Sequence, residues 1–543
     1  MAQPDSLAVG VDFGTSTSLI AERTAWAAAD VLPLGRTTTW LPSVAAYLGG
    51  QLVVGEDAEN ADPELLIRSV KRTITDRRDG LTVAGIHGPR ELPADEVIGA
   101  ILTELAVRAA KLRRPLAEEG DLRLGCPAMW DGSQRRRLID IATRAGLPLG
   151  DSGLIDEPVA AGVAWLANRS LEYAERPAGR LLVFDMGGGT LDIAVLDVVG
   201  GPRPEVSVLA SLGVAMAGDA LDTAIARDLR DEMLREGFDL AYHPQPALAW
   251  ALLEREAARA KIRLSRAAEH PIVLPRQLAY PKVLRYRREQ LEDAFRTQMD
   301  GADNLVLAAL RAALMTQQYG LTPAEIRAKG RDALAETVDH VLLVGGMSRI
   351  PYVGRRLRAL FPAAAVHDSV GVAPEEAVVA GLAEKAGYER INIHRPGFDF
   401  VLEWDGGRQR HVLYEAYTPL YEPWQVYNGH SDLGYVKRLR YPDVPRHGSG
   451  LLRVQSITGR PVRLNLNGQL VDGLPVVFGS HEFAFKIYCD GGILLTDGSG
   501  RTDPLRVDTW PVIRGHDHAA LALRHERQPV PDPFVPYPFN VDR

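Results

Sequence analysis

The chain has 543 residues, of which 46% are hydrophobic and 24% charged, with 62 basic and 70 acidic side chains and a net charge of −8. At about 150 residues per domain this predicts roughly three to four domains' worth of ordinary globular core, and the mild acidity excludes the basic footprint of a nucleic-acid binder. Two cysteines, Cys126 and Cys489, are too few for a disulfide framework and point to a reducing compartment. The first residues lack a basic region followed by an apolar stretch, and no apolar run reaches about 18 residues, so the expected setting is the cytoplasm, with no membrane partner.

The first part of the chain alternates strands and helices. "LAVGVDFGTSTSLIAE" (7–22) predicts strand, turn, strand. Helical spacing of Val97, Ile98, Ile101, Leu102 and Leu105 predicts a helix over 95–114. Helices follow at 133–146, stopped by Gly146, and at 157–170, opened by Pro158. "LLVFDMGGGTLDIAVLD" (181–197) is a second strand-turn-strand unit. A long amphipathic helix is expected at 248–267, a buried strand at 340–346, and helices at 350–362 and 374–387. This alternation predicts an α/β class over 1–387. From 388 to 528 short Val-, Leu-, Tyr- and Phe-rich runs separated by Gly, Asp, Asn and Pro predict an all-β domain of sandwich type. Its aromatic start, with Trp404, Tyr414, Tyr417, Tyr421, Trp424 and Tyr427, reads as core packing before it reads as a binding surface. Residues 529–543 form a Pro-rich tail expected to be extended. "HDH" at 516–518 lacks further ligands at metal-site spacing, and "GSG" at 498–500 reads as a hairpin turn.

The two strand-turn-strand units share one plan: apolar strand, Asp-x-Gly, small or hydroxyl residues, strand. Repetition about 170 residues apart predicts two similar halves facing each other. Glycines let backbone N–H groups approach an anion, and successive N–H groups form an anion nest. Thr15, Ser16 and Thr190 add hydroxyl donors. Asp12 and Asp185 would repel a phosphate chain unless a cation lay between, and Mg²⁺, which keeps its waters and bridges phosphate oxygens, suits that place; Asp192 is a further candidate. The alternative is a pair of ordinary hairpins. No G-x-x-x-x-G-K-[ST] or strand-linked G-x-G-x-x-G occurs, so this is not a P-loop or dinucleotide fingerprint.

With these turns in hand, residues 7–387 resemble the nucleotide-binding domain of the seventy-kilodalton heat-shock chaperones, within the actin, hexokinase and heat-shock ATPase superfamily. The motifs fall in order: "VDFGTSTS", "CPAMWDGSQRRRL", "IDEPVAAGVAW", "FDMGGGTLD", "VLLVGGMSRIPYV" and "VAPEEAVVAGLA". The resemblance implies a two-lobed actin-like ATPase with duplicated ribonuclease H-like halves, binding ATP or ADP with Mg²⁺ in the cleft. By that resemblance Lys71 reaches toward the γ-phosphate, and Glu157 and Asp185 position the attacking water. Gly14, Thr15, Ser16, Thr17, Gly187, Gly188, Gly189, Thr190 and Gly218 would cradle phosphates. Lys261 and Ser265 would cover the nucleoside, with Gly345, Gly346, Ser348 and Arg349 on its other side. Asp12, Asp185 and Asp192 would hold the metal, largely through water. Pro127 and Arg135 resemble a proline and arginine that couple nucleotide state to interdomain contacts. The family's ribose-contacting glutamate aligns with Ala258, a departure that Glu254 or Glu256 would repair only in another helix register.

The resemblance further implies an unfolded-polypeptide client, a J-domain co-chaperone and a nucleotide-exchange factor. Against it, no acidic Leu-rich linker follows Gly387, and no helical lid follows the β region. A slow ATP-hydrolysing chaperone is therefore expected, with two alternatives: a regulatory or actin-like ATPase whose β domain docks a dedicated partner, and a small-molecule kinase of the same superfamily.

Overall fold

A computed structural model of the chain describes residues 8–23, 28–62, 65–83, 90–112, 116, 122–151, 153–172, 177–199, 205–315, 323–368, 371, 373–384, 394–421, 434–511, 513–514, 517–518 and 520–526. The expected boundary at 387, the aromatics Trp424 and Tyr427 and the Pro-rich tail lie outside these residues.

Two sheets with the same order of five strands organise the α/β part, the first also carrying Leu41–Pro42 on Thr17–Arg23. In the first, Leu154–Asp156, Leu122–Cys126, Ala8–Phe13, Thr17–Arg23 and Asp30–Val31 lie side by side. In the second the order is Ala365–His367, His340–Val344, Gly179–Met186, Leu191–Val199 and Glu205–Val214. Each holds an antiparallel three-strand meander extended by two parallel strands. The duplication expected from the two turns is thus a duplication of whole sheets. All six residues of Ala8–Phe13 are buried, as a strand covered by helices on both faces requires. Helix Ala94–Lys111 buries the five apolar residues whose spacing predicts it. Helix Gly132–Arg144 is opened by a reciprocal cap: Asp131 accepts from the Gln134 N–H at 3.2 Å, and the Gln134 side chain accepts from the Asp131 N–H at 3.1 Å.

The lobes meet where helix Glu157–Glu172 crosses helix Ala377–Leu382, which is shorter than the 374–387 expected. The crossing depends on glycine. A Cβ at Gly381 would lie 1.7 Å from the Ala160 carbonyl oxygen, and one at Gly10 would lie 2.6 Å from the Val379 oxygen. Bare backbone lets the helices sit close enough to bury Val159, Ala160, Val378 and Leu382 between the sheets.

The C-terminal part is a two-sheet sandwich. One sheet runs Gln409–Tyr414, Phe398–Trp404, Gly448–Ser456, Pro461–Val462, with Leu474–Phe478 also on Gly448–Ser456. The other runs Gly434–Leu439, Phe483–Tyr488, Gly492–Thr496, Thr502–Thr509, Leu521–His525, Leu464–Leu466, Gln469–Val471. Burial alternates along Leu474–Phe478, as one buried and one wet face demand, and Phe400 meets Phe485 across the sheets at 5.1 Å. Tyr414 and Tyr421 are buried, so these aromatics serve the core. The GSG segment is the expected hairpin turn, with the Gly500 N–H on the Asp497 carbonyl at 3.0 Å.

This sandwich is fastened to the first lobe. Arg395, buried, donates from Nη2 to the Met129 and Trp130 carbonyls (2.9 and 3.1 Å), from Nη1 to the Ala128 carbonyl, and from Nε to the Tyr417 carbonyl at 3.0 Å. Arg136 pairs with Asp399 and Glu415, each at 2.5 Å. Asp151 accepts from the Ser456 hydroxyl at 2.8 Å, and Ile457 joins the first lobe's core.

Candidate functional site

A cleft of about 500 Å³ opens between the lobes. Its floor is the pair of turns, which are built alike: the Gly14 N–H donates to the Thr17 carbonyl, and the Gly187 N–H to the Thr190 carbonyl, both at 3.0 Å. The turns face each other. A Cβ at Gly188 would lie 2.8 Å from Ser16 Oγ, and one at Gly189 2.8 Å from Thr15 Oγ1. The glycines therefore let one turn nest against the other as well as leaving backbone open to a ligand.

Around this floor stand Asp12, Lys71, Glu157 and Asp185. Strand register sets Asp185 opposite Asp192, and Asp192 is held behind the cleft wall by the Ala128 N–H at 2.8 Å and the Thr190 hydroxyl. Lys71 forms a buried ion pair with Glu157, the first residue of its helix. Burial opposes the Lys71 ammonium, but Glu157 and Asp12 outweigh it and hold its pKa above the usual lysine value. Burial, then the Glu157 charge, pushes Asp12 and Asp192 each up to about 7, and lifts Asp185 well above the carboxylate range. Four carboxyl groups crowd one ammonium, which disfavours their ionised forms, and a divalent cation would favour ionisation by offsetting the charge. No group of three or more His, Cys, Asp or Glu among the described residues is placed to ligate a metal directly. That donor set fits an ion retaining most of its waters, as Mg²⁺ does.

Most of the expected residues converge here. Gly14, Thr15, Ser16, Thr17, Gly187, Gly188, Thr190, Lys261, Ser265, Gly345, Gly346 and Arg349 line the same cleft. Gly189, Asp192, Gly218 and Ser348 stand just behind the lining. Gly218 opens helix Gly218–Arg235, and its N–H is taken by the Gly187 carbonyl at 3.2 Å. The Ser348 hydroxyl donates to the Val344 carbonyl at 2.5 Å and so supports the turn. Gly345, at φ +80°, is required because a Cβ there would lie 2.4 Å from the Met186 carbonyl oxygen, whereas Gly346 faces open space where a flat ring could lie. Lys261 is neutralised by Asp222 at 2.8 Å. Glu254 and Glu256 do not line the cleft: Thr223 donates to Glu254 at 2.9 Å, and Glu256 is buried with Arg259 at 2.8 Å. Trp40, Ile262, Arg266 and Glu375, none of them singled out by the sequence, also line the cleft, Glu375 from within the motif VAPEEAVVAGLA.

A family model described as Hsp70 protein matches residues 8–395. The chain belongs to the Hsp70 family. It is similar to the chaperone protein DnaK of Thermotoga neapolitana, with 27% identity over 420 residues covering 74% of this chain and 63% of the relative. It is also similar to the DnaK of Deinococcus deserti, with 31% identity over 403 residues covering 70% and 59%. The chain thus spans a little under two thirds of the length of these curated Hsp70 relatives, and the family model stops where the sandwich begins. No helix among the described residues is long and apolar enough to cross a membrane.

Proposed function

We propose that this chain is an ATP-binding, slowly ATP-hydrolysing chaperone-like protein of the cytoplasm, in which nucleotide state in the interlobe cleft controls what the C-terminal sandwich holds. The observation that carries the reading is the pair of equivalent glycine turns closing on one buried group of Lys71, Asp12, Glu157 and Asp185. Backbone N–H groups and hydroxyls of the turns would receive the phosphates. Asp12, Asp185 and Asp192 would hold Mg²⁺ largely through its waters, and the bound ion would neutralise phosphate charge. Glu157 and Asp185 would orient the attacking water, and Lys71 would offset charge developing on the transferred phosphoryl group. The division into 1–387, 388–528 and 529–543 belongs to this proposal, as do an unfolded-polypeptide client, a J-domain co-chaperone and an exchange factor.

A second reading, in which the sandwich docks one dedicated partner, is favoured by the end of the family match at residue 395. Steady-state ATP hydrolysis by the full chain, with and without an unfolded model polypeptide, separates the two. Slow turnover that rises with polypeptide supports the chaperone. Turnover indifferent to polypeptide keeps the ATPase and favours the dedicated partner, and no Mg²⁺-dependent turnover refutes both.

A further inference from the structure

Trp40 is the one aromatic side chain among the described residues that line the cleft. Its position is set from both lobes. Toward the first turn, Pro42 pairs with Thr17, and the Ser43 N–H donates to the Ser16 carbonyl at 2.9 Å. Toward the second lobe, Thr39 Oγ1 donates to Glu376 Oε1 at 2.6 Å, and the adjacent Glu375 grips Arg349 through both oxygens at 2.6 and 2.7 Å. The indole packs against the cluster of Leu19, Ala21, Val379 and Ala383 but is only half-buried, which leaves aromatic surface facing the cleft.

The polar work of the site is concentrated elsewhere, on the turns, Lys71 and the carboxylates. The opposite wall carries Ile262, 66% exposed, beside Lys261, Ser265 and Arg266, while Glu254 and Glu256 are engaged with Thr223 and Arg259. The face of the Trp40 indole suits a base or the carbon face of a sugar.

Resting on the ATPase reading, we infer that Trp40 is a nucleoside-contact residue, packing from the first lobe against the sugar and base. The nucleoside is then held in part by packing on the indole face.

The test uses the full chain as wild type, Trp40→Phe and Trp40→Ala, titrated calorimetrically with Mg·ADP and with Mg·tripolyphosphate, which lacks a nucleoside. Base–aromatic stacking predicts that Trp40→Ala weakens Mg·ADP by about 5- to 150-fold while leaving tripolyphosphate unchanged. Trp40→Phe should restore most of the affinity, and the nucleotide-induced change in tryptophan emission should disappear in it. Equal loss for both ligands, or loss for neither, would overturn the assignment while leaving the ATPase reading intact. Absence of any nucleotide binding by the wild type would overturn both.

Discussion

Replacing Gly381 by alanine tests whether the two lobes are joined by a backbone-to-backbone contact. The added methyl would lie 1.7 Å from the Ala160 oxygen and 2.4 Å from its carbonyl carbon, both on a helix that cannot swing aside as a side chain would. Relief requires the helices Glu157–Glu172 and Ala377–Leu382 to part, loosening the packing of Val159, Val378 and Leu382. Overpacking in a closed core typically destabilises by about 1–3 kcal/mol, and a clash with main chain belongs at the upper end. At roughly 2–4 °C per kcal/mol for a unit of lobe size, the first thermal transition should fall by about 6–12 °C. Differential scanning calorimetry of the full chain reads this directly. Gly150→Ala is the control, since a Cβ there meets nothing within 4 Å. If Gly381→Ala melts with the wild type, the helices are not in contact through this glycine and the account of the lobe junction is wrong.

Lys71→Met should lower ATP turnover by about 10²–10³-fold while calorimetric nucleotide affinity changes little, because the ammonium is assigned to the transition state. Chelating Mg²⁺ should abolish turnover, with restoration on adding it back, as measured by phosphate release. Arg395→Ala leaves the Ala128 and Met129 carbonyls without their charged donor, whereas Trp130 keeps Arg135 Nε at 2.9 Å, and at about 1–3 kcal/mol for such groups it should lower the melting temperature of the full chain. It should also slow hydrolysis, because Ala128 positions Asp192; unchanged turnover would separate the sandwich contact from the cleft. Burial holds the His394 imidazole down from 6.5 to about 4, so its folded pKa is depressed. Its stabilising contribution is present above pH 6.5 and is lost as pH falls through about 4. That difference amounts to roughly 3 kcal/mol. Denaturant titrations at pH 7 and pH 4 should therefore show a smaller acid loss for His394→Gln than for the wild type.

Much of the site was legible because the chemistry is local. Asp-x-Gly turns between apolar strands specify their own hydrogen bonds, and both turns close at the same relation of glycine to threonine. The helical stripe at 97–105 and the alternating strands of the sandwich were legible for the same reason: residues three, four or two apart share a face whatever the rest of the chain does. Trp40 was not legible, because its relation to the cleft runs through the contact of Thr39 with Glu376, 337 positions apart. Nor were the engagements of Ser348 and Gly218, where backbone carbonyls compete for groups that the motifs assign to a ligand.

The sequence by itself determined the α/β repeat, the β-rich end, and the residue types that a phosphate and a hydrated cation require. Only the tertiary structure decided that the two turns nest, that Lys71 is spent on Glu157, and that the sandwich is fastened to the first lobe through Arg395. The physical reason is one of range: periodicity and turn chemistry act over a few residues, whereas burial raises charge interactions only among groups that the fold brings together.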